Sequence, residues 1–378
     1  MEVFYRVERA PVHSVLLLDT REEALHYPSG QIHLGLCDHC GFISNVTFDG
    51  HLQEYAGRYE ATQSYSPTFS AFARSMALDL IARHDLHGKS IIEIGCGQGE
   101  FLLELCELGG NSGIGFDPAY RGEPIASEAR DRVQFVADLY SEKYRAYRGD
   151  FICCKMTLEH ISNTFEFMSN VRQSIADNPD CVVFFQVPNA EYVLRDTAFW
   201  DVYYEHCSYF TASSLTYLFE RSGFVVERTY TVYDDQYLVV EARPAVSEAG
   251  PVLPPEAHAQ TRALVMHFVT EVENLRNQWK DKIEGLAAEG KQVVLWGGGS
   301  KGVAFLTTLG LHHQIQHVVD INPKKMGKFM ATTGQEIVQP EFLKALQPDT
   351  VIVMNPIYCR EIGAMLEEMN IKTSMLSL

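Results

Sequence analysis

The stretch that decides the fold reads IIEIGCGQGEF and occupies residues 91–101. Its β-branched residues predict a buried strand, its three glycines predict a turn too tight for side chains, and the apolar residues after it open a helix. A strand, a glycine turn and a helix in this order are typical of a Rossmann-like sheet that binds a nucleoside.

The glycines follow the spacing Gly-x-Gly-x-Gly, and Glu100 stands where a dinucleotide-binding turn has its last glycine. A carboxylate there would repel a pyrophosphate, whereas S-adenosylmethionine (SAM) brings no phosphate, so the turn favours SAM over NAD. Asp117, about twenty residues on at the end of a second apolar run, is predicted to hold the ribose hydroxyls. A turn that only packs a helix against a strand is the alternative.

Apolar runs and helical segments alternate through the middle of the chain, which predicts a doubly wound α/β core over residues 58–245. Ligands of such sheets bind beyond the carboxyl ends of the strands. The other residues expected to contact SAM are Glu93, Gly95, Cys96, Gly97, Gly99, Asp138, Leu139, Glu159 and His160. Asp138 is placed to meet the adenine amine, whereas helix capping or an ion pair is the alternative role of Glu159 and His160.

The chain has 378 residues, of which 46% are hydrophobic and 21% charged, which is enough for two or three folded domains. Its net charge of −18 argues against binding to duplex nucleic acid, which attracts basic surfaces. We recognise no signal peptide and no apolar run long enough to span a bilayer. We therefore expect a soluble, cytoplasmic protein with reduced cysteines and no membrane partner.

Cys37 and Cys40 form a CxxC motif followed by glycine, as in one knuckle of a zinc ribbon. A tetrahedral structural zinc needs four ligands, and the chain has no second CxxC motif. His13 and His39 are the candidate substitutes, and the missing pair could also precede the first residue. Residues 1–57 are therefore predicted to be a zinc-ribbon-like segment whose metal site is incomplete.

Residues 55–67 are rich in tyrosine and hydroxyl groups. Such a segment could fold over the cofactor as a lid that excludes water, and an ordinary amphipathic connection is the alternative. A second notable segment is the insertion after the fifth predicted strand, FWDVYYEHCSYF at residues 199–210. It concentrates acid, base and hydrogen-bond donors, and histidine is the side chain best suited to take a proton near neutral pH. A satisfied polar patch is the alternative there.

A linker and a long amphipathic helix are predicted over residues 246–289. The apolar stripe of the helix would dock the last domain or form the seam of a homodimer, so a monomer and a homodimer both fit. The last domain, residues 290–378, is predicted to be Rossmann-like because a strand and a glycine turn open it again.

This second turn reads GGGSKG at residues 297–302, and Asp320 follows about twenty residues on, so its pattern could take a dinucleotide pyrophosphate. Because one cofactor is enough, we predict a seat for an anionic, nucleotide-linked substrate; a module without a ligand is the alternative. Positive charge for that substrate would come from Lys301, Lys324, Lys325 and Lys328. The residues expected to bind it are Asn189, Gly299, Ser300, Lys301, Asp320 and Asn355.

Seven motifs bear on the family: CGF (40–42), EIGCGQG (93–99), LEHI (158–161), VPN (187–189), YEHCSYF (204–210), GSKG (299–302) and VDINP (319–323). Together they resemble the sugar C-methyltransferases that act on nucleotide-linked keto-deoxysugars. The resemblance covers essentially the whole chain, and YEHCSYF and the second glycine turn are its most specific parts.

The resemblance implies that the first segment binds zinc through two cysteine pairs, the middle domain binds SAM, and the last domain helps hold the nucleotide sugar. It also implies that His206 is the base, with Tyr203 and Glu205 beside it. The chain departs from the family in two places. It starts after the point that matches the first cysteine pair, which puts the zinc in doubt. Residues 327–334 read GKFMATTG where relatives often have a Pro-Gly-Thr loop, so the substrate need not be the same.

The expected chemistry is methylation of a carbon next to a ketone, which becomes nucleophilic only after it loses a proton. His206 would take that proton, and Glu205 would orient its imidazole. Tyr203 or Tyr209 would hold the enolate oxygen while the carbon attacks the methyl group of SAM in line. O- or N-methylation of another metabolite, an NAD-dependent reductase and a non-catalytic scaffold are the alternatives.

Overall fold

Three β-sheets and their helices make up the part of the chain that the computed structural model describes, residues 1–53, 58–176, 178–246 and 255–378. The strands, in chain order, are β1 (Glu2–Pro11), β2 (Ser29–Leu36), β3 (Ile43–Asn45), β4 (Ser90–Ile94), β5 (Ser112–Phe116), β6 (Val133–Val136), β7 (Phe151–Lys155), β8 (Val182–Pro188), β9 (Ser208–Tyr209), β10 (Phe224–Val232), β11 (Tyr237–Pro244), β12 (Val293–Trp296), β13 (His317–Val319), β14 (Glu336–Val338), β15 (Thr350–Val353) and β16 (Ser374–Ser377). The helices are α1 (Arg21–Leu25), α2 (Pro67–His84), α3 (Glu100–Gly109), α4 (Thr164–Ser174), α5 (Ala190–Arg195), α6 (Ala212–Arg221), α7 (Pro255–Ala288), α8 (Ser300–Leu309), α9 (Leu343–Leu346) and α10 (Cys359–Glu368).

The middle sheet has seven strands in the order β10-β11-β8-β7-β4-β5-β6. Strands β8, β7, β4, β5 and β6 run parallel, whereas β11 is antiparallel to both β8 and β10. Alternate residues of β7, such as Phe151 and Ile152, belong to two different apolar clusters, so both faces of the sheet are buried. This arrangement confirms the predicted doubly wound core and adds an antiparallel edge to it.

Glycine is required in the turn after β4 because the chain approaches its neighbour closely there. Gly95 has a φ of +72°, and a Cβ atom at this position would lie 1.9 Å from the side-chain oxygen of Thr157. A larger residue would therefore strain the backbone and clash. Because Thr157 follows β7, the neighbour of β4, the glycine turn lies beside the loop that carries Glu159 and His160.

The last sheet has five parallel strands in the order β14-β13-β12-β15-β16, as expected for a Rossmann-like domain. Helix α8 starts within the second glycine turn. A Cβ atom at Gly302 would lie 2.3 Å from the carbonyl oxygen of Gly297, so only glycine lets α8 pack this close to the end of β12.

The N-terminal segment forms an antiparallel sheet in the order β1-β2-β3-β9 instead of a separate zinc-ribbon-like unit. Strand β9 comes from the insertion of the middle domain, and its Tyr209 pairs with Ile43 of β3. The predicted boundary at residue 57 therefore cuts through a sheet. The physical reason is that the inward-facing apolar residues of β2 need a partner surface, which the insertion and α7 supply.

Helix α7 docks the other parts of the chain together, as the apolar stripe predicts. Val265, Phe268 and Val272 are buried, and the ring centre of Phe268 lies 5.1 Å from that of Tyr5 in β1. One apolar cluster joins them to the first sheet, the insertion, β12 and α8. Residues 247–254, most of the predicted linker, lie outside the described residues.

Length alone does not make α7 a membrane helix. It contains 34 residues, but acidic and basic side chains recur along it. Across the described ranges, no helix combines the length and the apolar character that crossing a bilayer requires.

A buried carboxylate ties α2 to the edge of the middle sheet. Glu241 of β11 pairs with Arg83, with His84 Nε2 at 2.8 Å and with the hydroxyl of Tyr230 at 2.6 Å. Burial by itself would raise the pKa of Glu241, but these partners outweigh it and hold the pKa below its usual value.

We predict that Glu241→Gln lowers the free energy of unfolding at pH 7 by about 3 kcal/mol, because Arg83 and His84 lose the buried carboxylate with which they pair. Since the folded-state pKa lies below the usual 4.5, the carboxylate stabilises the fold above about pH 4.5 and loses this effect as the pH falls through the folded-state pKa. Thermal unfolding midpoints of the wild type and the variant should therefore converge as the pH is lowered from 7 to 3.

The matched control is Glu227→Gln, which removes an exposed carboxylate of the adjacent strand. The thermal unfolding midpoint of this variant should equal that of the wild type at every pH between 7 and 3. If the difference in unfolding midpoint between the wild type and Glu241→Gln stayed constant down to pH 3, the prediction would be contradicted.

Candidate active site

A cavity of about 330 Å³ lies between the middle and last domains. The middle domain lines it with side chains that follow β7 and β8, including Glu159, His160, Tyr203 and His206. The last domain contributes the glycine turn before α8 and the ends of β13 and β15, and parts of residues 59–66 close another side. The insertion and the second glycine turn therefore face each other across one cavity.

His206 lies at the wall of this cavity between two other rings. Its ring centre is 4.6 Å from that of Tyr203 and 4.9 Å from that of His160, edge to face in both pairs. Only 8% of His206 is exposed. Burial and the neighbouring His160 lower the pKa of His206 well below its usual value, so the ring is neutral at pH 7 and can accept a proton.

Glu205 does not orient His206, contrary to the expectation from the sequence. Its carboxylate accepts hydrogen bonds from the N–H group of Ser14 at 3.1 Å and from the Ser14 hydroxyl, and it pairs with His13 Nδ1 at 3.1 Å. Burial would raise the pKa of Glu205, but these partners and His160 outweigh it and lower the pKa. Glu205 is thus a buried charge that fixes the N-terminal segment beside the cavity.

The two tyrosines of the insertion occupy different positions. Tyr203 lines the cavity and donates its hydroxyl hydrogen to Asp201 Oδ1 at 2.6 Å, while burial and Asp201 raise its pKa well above the usual value. Tyr209 does not line the cavity, because its hydroxyl bonds to the main-chain N–H and carbonyl groups of Tyr203 at 3.2 and 3.3 Å. The prediction that Tyr209 could hold an enolate oxygen is therefore wrong.

The lysines predicted to supply positive charge are all ion-paired. Their carboxylate partners are Asp201 for Lys301, Glu60 and Glu123 for Lys324, Asp320 for Lys325 and Asp19 for Lys328. A chain with 49 acidic and 31 basic residues readily offers such partners. Their use by an anionic ligand stays a prediction, and such a ligand would share or replace these carboxylate partners.

Polar contacts join the middle and last domains across the cavity. Lys301 Nζ lies 2.6 Å from Asp201 Oδ2 and 3.2 Å from Gln236 Oε1. The amides of Gln236 and Asn355 exchange two hydrogen bonds, of 2.9 and 3.0 Å. Because Asp201 also accepts the Tyr203 hydrogen bond, a chain of polar contacts runs from the second glycine turn to the neighbour of His206.

Most of the predicted substrate residues line the cavity, namely Gly299, Ser300, Lys301, Asp320 and Asn355. Asn189 does not. Its side-chain oxygen accepts from the N–H group of Glu191 at 3.0 Å, and its amide donates to the carbonyl of Asp235 at 2.9 Å. Asparagine is a favoured residue before a helix, and Asn189 is the N-cap of α5, so its prediction as a substrate ligand is corrected.

The residues predicted to hold SAM gather at the carboxyl ends of β4 and β5. Asp117 Oδ2 accepts from the N–H group of Gly97 at 2.8 Å, and its Oδ1 accepts from that of Ala119 at 2.7 Å. Burial raises the pKa of Asp117, and it raises the pKa of Glu93 to about 8. The turn itself consists of Gly95, Cys96, Gly97, Gln98 and Gly99.

The remaining predicted cofactor residues lie on two sides of this turn. Asp138 follows β6 and binds Lys143 and the hydroxyl of Tyr144, which lower its pKa to about 2; Leu139 is 63% exposed. Glu159 follows β7 and reaches the cavity instead. Only 1% of Glu159 is exposed, and burial raises its pKa to about 8.

The two glycine turns are held by the same kind of hydrogen bond. The N–H group of Gly298 donates to Asp320 Oδ2 at 3.0 Å, just as that of Gly97 donates to Asp117. In both cases a carboxylate at the end of the next strand holds a glycine of the turn. The chain therefore contains two nucleoside-type turns of related construction.

The buried carboxylate of Glu60 joins residues 58–67, the described part of the predicted lid, to loops of the middle and last domains; residues 55–57 lie outside the described residues. Glu60 is 1% exposed and contacts Arg121 Nη2 at 3.0 Å, Asn322 Nδ2 at 3.2 Å and Lys324 Nζ at 3.3 Å. Arg121 lies in the loop after β5, which also carries Asp117. Asn322 and Lys324 lie in the loop after β13, which also carries Asp320. One carboxylate thus joins three parts of the chain.

Zinc does not fit the N-terminal cysteines among the described residues. Cys37 and Cys40 lie in the tight turn between β2 and β3, where the N–H group of Gly41 bonds to the carbonyl of Cys37 at 2.9 Å. In the described part of the chain, no third cysteine, histidine or carboxylate gathers with them. His13 pairs with a carboxylate beside the cavity instead, and His39 contacts a tyrosine hydroxyl of α6 at 3.4 Å.

The sequence did not point to several residues that hold this site together. They are Ser14, Glu60, Arg121, Asp201 and Gln236. Asp201 and Glu60 lie in segments that the sequence singled out, but their partners are remote in the chain. One signal was available: a lysine inside a glycine turn of a strongly acidic chain needs a carboxylate partner, and Asp201 stands in the insertion that carries the predicted base.

Comparisons with known proteins bear on the class. Residues 69–229 match the family model described as a methyltransferase domain, and residues 241–376 match that of a C-methyltransferase C-terminal domain. The C-methyltransferase NovU of Streptomyces niveus is 29% identical over 296 residues, which are 73% of this chain and 68% of NovU.

Two solved structures also align with the chain. The 1,6-didemethyltoxoflavin-N1-methyltransferase of Burkholderia thailandensis is 17% identical and gives a TM-score of 0.35, over 48% of this chain and 84% of that one. The magnesium protoporphyrin IX methyltransferase of Synechocystis PCC 6803 is 14% identical and gives a TM-score of 0.37, over 47% and 84%.

The seven-stranded sheet, its glycine turn and the match over residues 69–229 define a class I methyltransferase fold. The chain is a SAM-dependent methyltransferase. Residues 241–376 match the C-methyltransferase C-terminal domain, so the chain has the two domains of a SAM-dependent C-methyltransferase. The predictions of an α/β fold, a SAM cofactor and a methyltransferase are confirmed, and the reductase and scaffold alternatives are set aside.

We predict that Asp117→Asn weakens the binding of S-adenosylhomocysteine (SAH), the demethylated cofactor, by about ten-fold or more. The ribose hydroxyls would lose a charged acceptor, and hydrogen bonds to charged groups contribute about 1.5–3 kcal/mol. Isothermal titration calorimetry measures the affinity. Asp320→Asn is the matched control in the second turn and should keep wild-type affinity for SAH. A loss of affinity in Asp320→Asn alone would mean that SAH binds the other turn.

We also predict that Glu60→Gln lowers the free energy of unfolding by about 3 kcal/mol, because it leaves two cations facing a buried neutral amide. Glu123→Gln is the matched control, since Glu123 contacts the same Arg121 and Lys324 but its side chain is 34% exposed. The control should cost less than about 1 kcal/mol. Urea unfolding, monitored by tryptophan fluorescence, gives the free energy of unfolding of both variants. Equal losses in the two variants would show that the burial of Glu60 does not determine its contribution to stability.

Proposed function

We propose that this protein methylates a carbon atom next to the ketone of a nucleotide-linked sugar, with His206 as the base that forms the enolate. One observation carries the proposal: a nearly buried, neutral His206 faces a cavity whose opposite wall is a second nucleoside-type glycine turn. Since the first turn accounts for the methyl donor, the second is available to the acceptor. The resemblance to sugar C-methyltransferases supports this acceptor class, and the similarity to the C-methyltransferase NovU supports methylation on carbon.

The base must be neutral, close to the reacting carbon and shielded from water. His206 meets these demands, because burial keeps its ring unprotonated and the cavity is open in front of it. The protonated hydroxyl of Tyr203 is next to it, with ring centres 4.6 Å apart. We assign Tyr203 to donate a hydrogen bond to the enolate oxygen, in exchange for its bond to Asp201.

SAM, when bound, supplies the electrophilic methyl group. The contribution of the chain is positioning, which is the main source of acceleration for an in-line transfer. Glu205 takes part indirectly, since it holds Ser14, whose hydroxyl lies 2.7 Å from that of Ser300 in the second glycine turn. Glu205 therefore fixes the N-terminal segment to the acceptor side of the cavity.

The acceptor would be anchored by its nucleotide at the second turn. The N-terminus of α8 begins at Ser300, and a helix N-terminus with free N–H groups favours an anion. Lys301 is the cation nearest to this point in the cavity lining and would exchange Asp201 for a phosphate oxygen. The sugar would then extend toward Tyr203 and His206.

Hydrogen exchange tests the base without methyl transfer. We predict that the protein, with SAH bound, exchanges the hydrogen next to the ketone of nucleoside-diphosphate-linked keto-deoxysugars for deuterium in D₂O. His206→Gln should slow this exchange by about 100-fold or more, because a general base contributes about 10²–10⁴-fold. Proton NMR follows the exchange, and calorimetry should show unchanged SAH affinity.

The control is His313→Gln, which alters an exposed histidine and should exchange like the wild type. If His206→Gln exchanged the hydrogen next to the ketone as fast as the wild type, His206 could not be the base. With SAM carrying a ¹³C-labelled methyl group, a product methyl bonded to oxygen or nitrogen would contradict methylation on carbon.

A further inference from the structure

We propose that Glu159, His160 and His206 form a binding site for a divalent transition-metal ion such as Zn²⁺, and that the bound ion inhibits the enzyme. The three residues each offer one ligand atom, and these atoms all lie within 4.8 Å of one another. All three line the cavity, so an ion can reach them. The binding site stands on this geometry alone, whereas the inhibition rests on the proposed role of His206.

The fold brings the three ligands together from two loops. Glu159 and His160 lie in the 3-10 turn that follows β7, and His206 lies in the insertion after β8, the adjacent strand. The rings of the two histidines stand edge to face with centres 4.9 Å apart. The sequence separates the first two from the third, so no metal-binding motif marks the set.

Glu159 provides the second observation. Neither oxygen of its carboxylate has a hydrogen-bond partner, although only 1% of the residue is exposed. A buried polar group without a hydrogen-bond partner is costly in free energy, and the carboxyl group of Glu159 is such a group. A cation between Glu159 and the histidines would satisfy this group, which no other contact in the described structure does.

The donor set selects the kind of ion. Two imidazole nitrogens and one carboxylate oxygen suit Zn²⁺, Co²⁺ or Fe²⁺, whereas Mg²⁺ and Ca²⁺ prefer oxygen ligands only. Three protein ligands leave a coordination position open to water or a ligand from the cavity. Ligands about 2.0–2.1 Å from a tetrahedral zinc are about 3.4 Å apart, so small side-chain rotations complete the site.

Metal occupancy and base catalysis compete for one electron pair. A histidine nitrogen that donates its lone pair to a metal cannot use that lone pair to accept a proton from carbon. Binding of the ion therefore blocks enolate formation, and its removal by a chelator restores it. The proposed effect is reversible inhibition at the catalytic base, set by the availability of free zinc-like ions.

Cobalt binding tests the site directly and requires neither acceptor nor activity. The experiment uses the full chain with Cys37→Ser and Cys40→Ser, so that these partly exposed thiols do not bind the ion. Titration with Co²⁺ should give visible d–d absorption that saturates at one equivalent and disappears when Zn²⁺ is added. Glu159→Gln should weaken Co²⁺ binding by about 100-fold or more, since even outer partners of a metal ligand matter by about 10–100-fold.

The matched control is Glu361→Gln, which removes another carboxylate that lines the cavity and should bind Co²⁺ like the parent. Circular dichroism establishes that both variants are folded. Absence of the absorption in the parent, or an unchanged affinity in folded Glu159→Gln, would overturn the proposed site.

Inhibition is then measured on the same parent by deuterium exchange into the keto-deoxysugar. Zn²⁺ should abolish exchange at the concentration that displaces Co²⁺, and EDTA should restore it. Exchange that is unchanged or faster with Zn²⁺ bound would overturn the inhibition. If His206→Gln left exchange intact while Co²⁺ still bound the parent, the proposed base would fail and the metal site would stand.

Discussion

The structure depends on one apolar core that several segments share. The N-terminal sheet, the insertion of the middle domain, the long helix α7 and the inner face of the last sheet contribute side chains to the same cluster. None of these surfaces is buried unless the others are in place, so they are expected to order together. The cavity lies beside this core and is bounded by parts that the core holds at fixed distances.

Two glycine turns of related construction lie at the starts of the middle and last domains' first parallel strand–helix units. In each, a carboxylate at the end of the second strand holds a main-chain N–H group of the turn. The helices after the two turns begin differently. Gly302 lets α8 pack directly on its strand, whereas Glu100 begins α3 and accepts a hydrogen bond from Thr62. A pyrophosphate is compatible with the start of α8 and is repelled by that of α3.

The local elements could be predicted from the sequence because their causes are local. Runs of β-branched residues indicated the strands near Ile91 and Val293, and glycine spacing indicated both turns. The apolar stripe of α7 predicted that it docks the last domain or forms a dimer seam, and the helix also packs on the first sheet and the insertion. These features depend on residues within about one turn or one strand of each other.

The partners of charged side chains could not be predicted in the same way. Glu205 meets His13 across 192 positions of sequence, and Lys301 meets Asp201 across 100. A carboxylate next to a histidine in sequence suggests a pair, yet burial draws the carboxylate to whichever donors the fold supplies. Asn189 and Tyr209 show the same limit, since both use their polar atoms on nearby main chain, a role that residue type alone does not exclude.

The contacts that the last domain makes with the rest of the chain differ in how they respond to ionic strength. The pair of Lys328 with Asp19 lies at the surface, so dissolved ions weaken it. The reciprocal amide bonds of Gln236 and Asn355 carry no net charge and are buried, so dissolved ions leave them unchanged. The contacts of the last domain therefore include a surface ion pair that depends on salt concentration and buried hydrogen bonds that do not. The buried hydrogen bonds keep the two walls of the cavity in the same relative position over a wide range of salt concentrations.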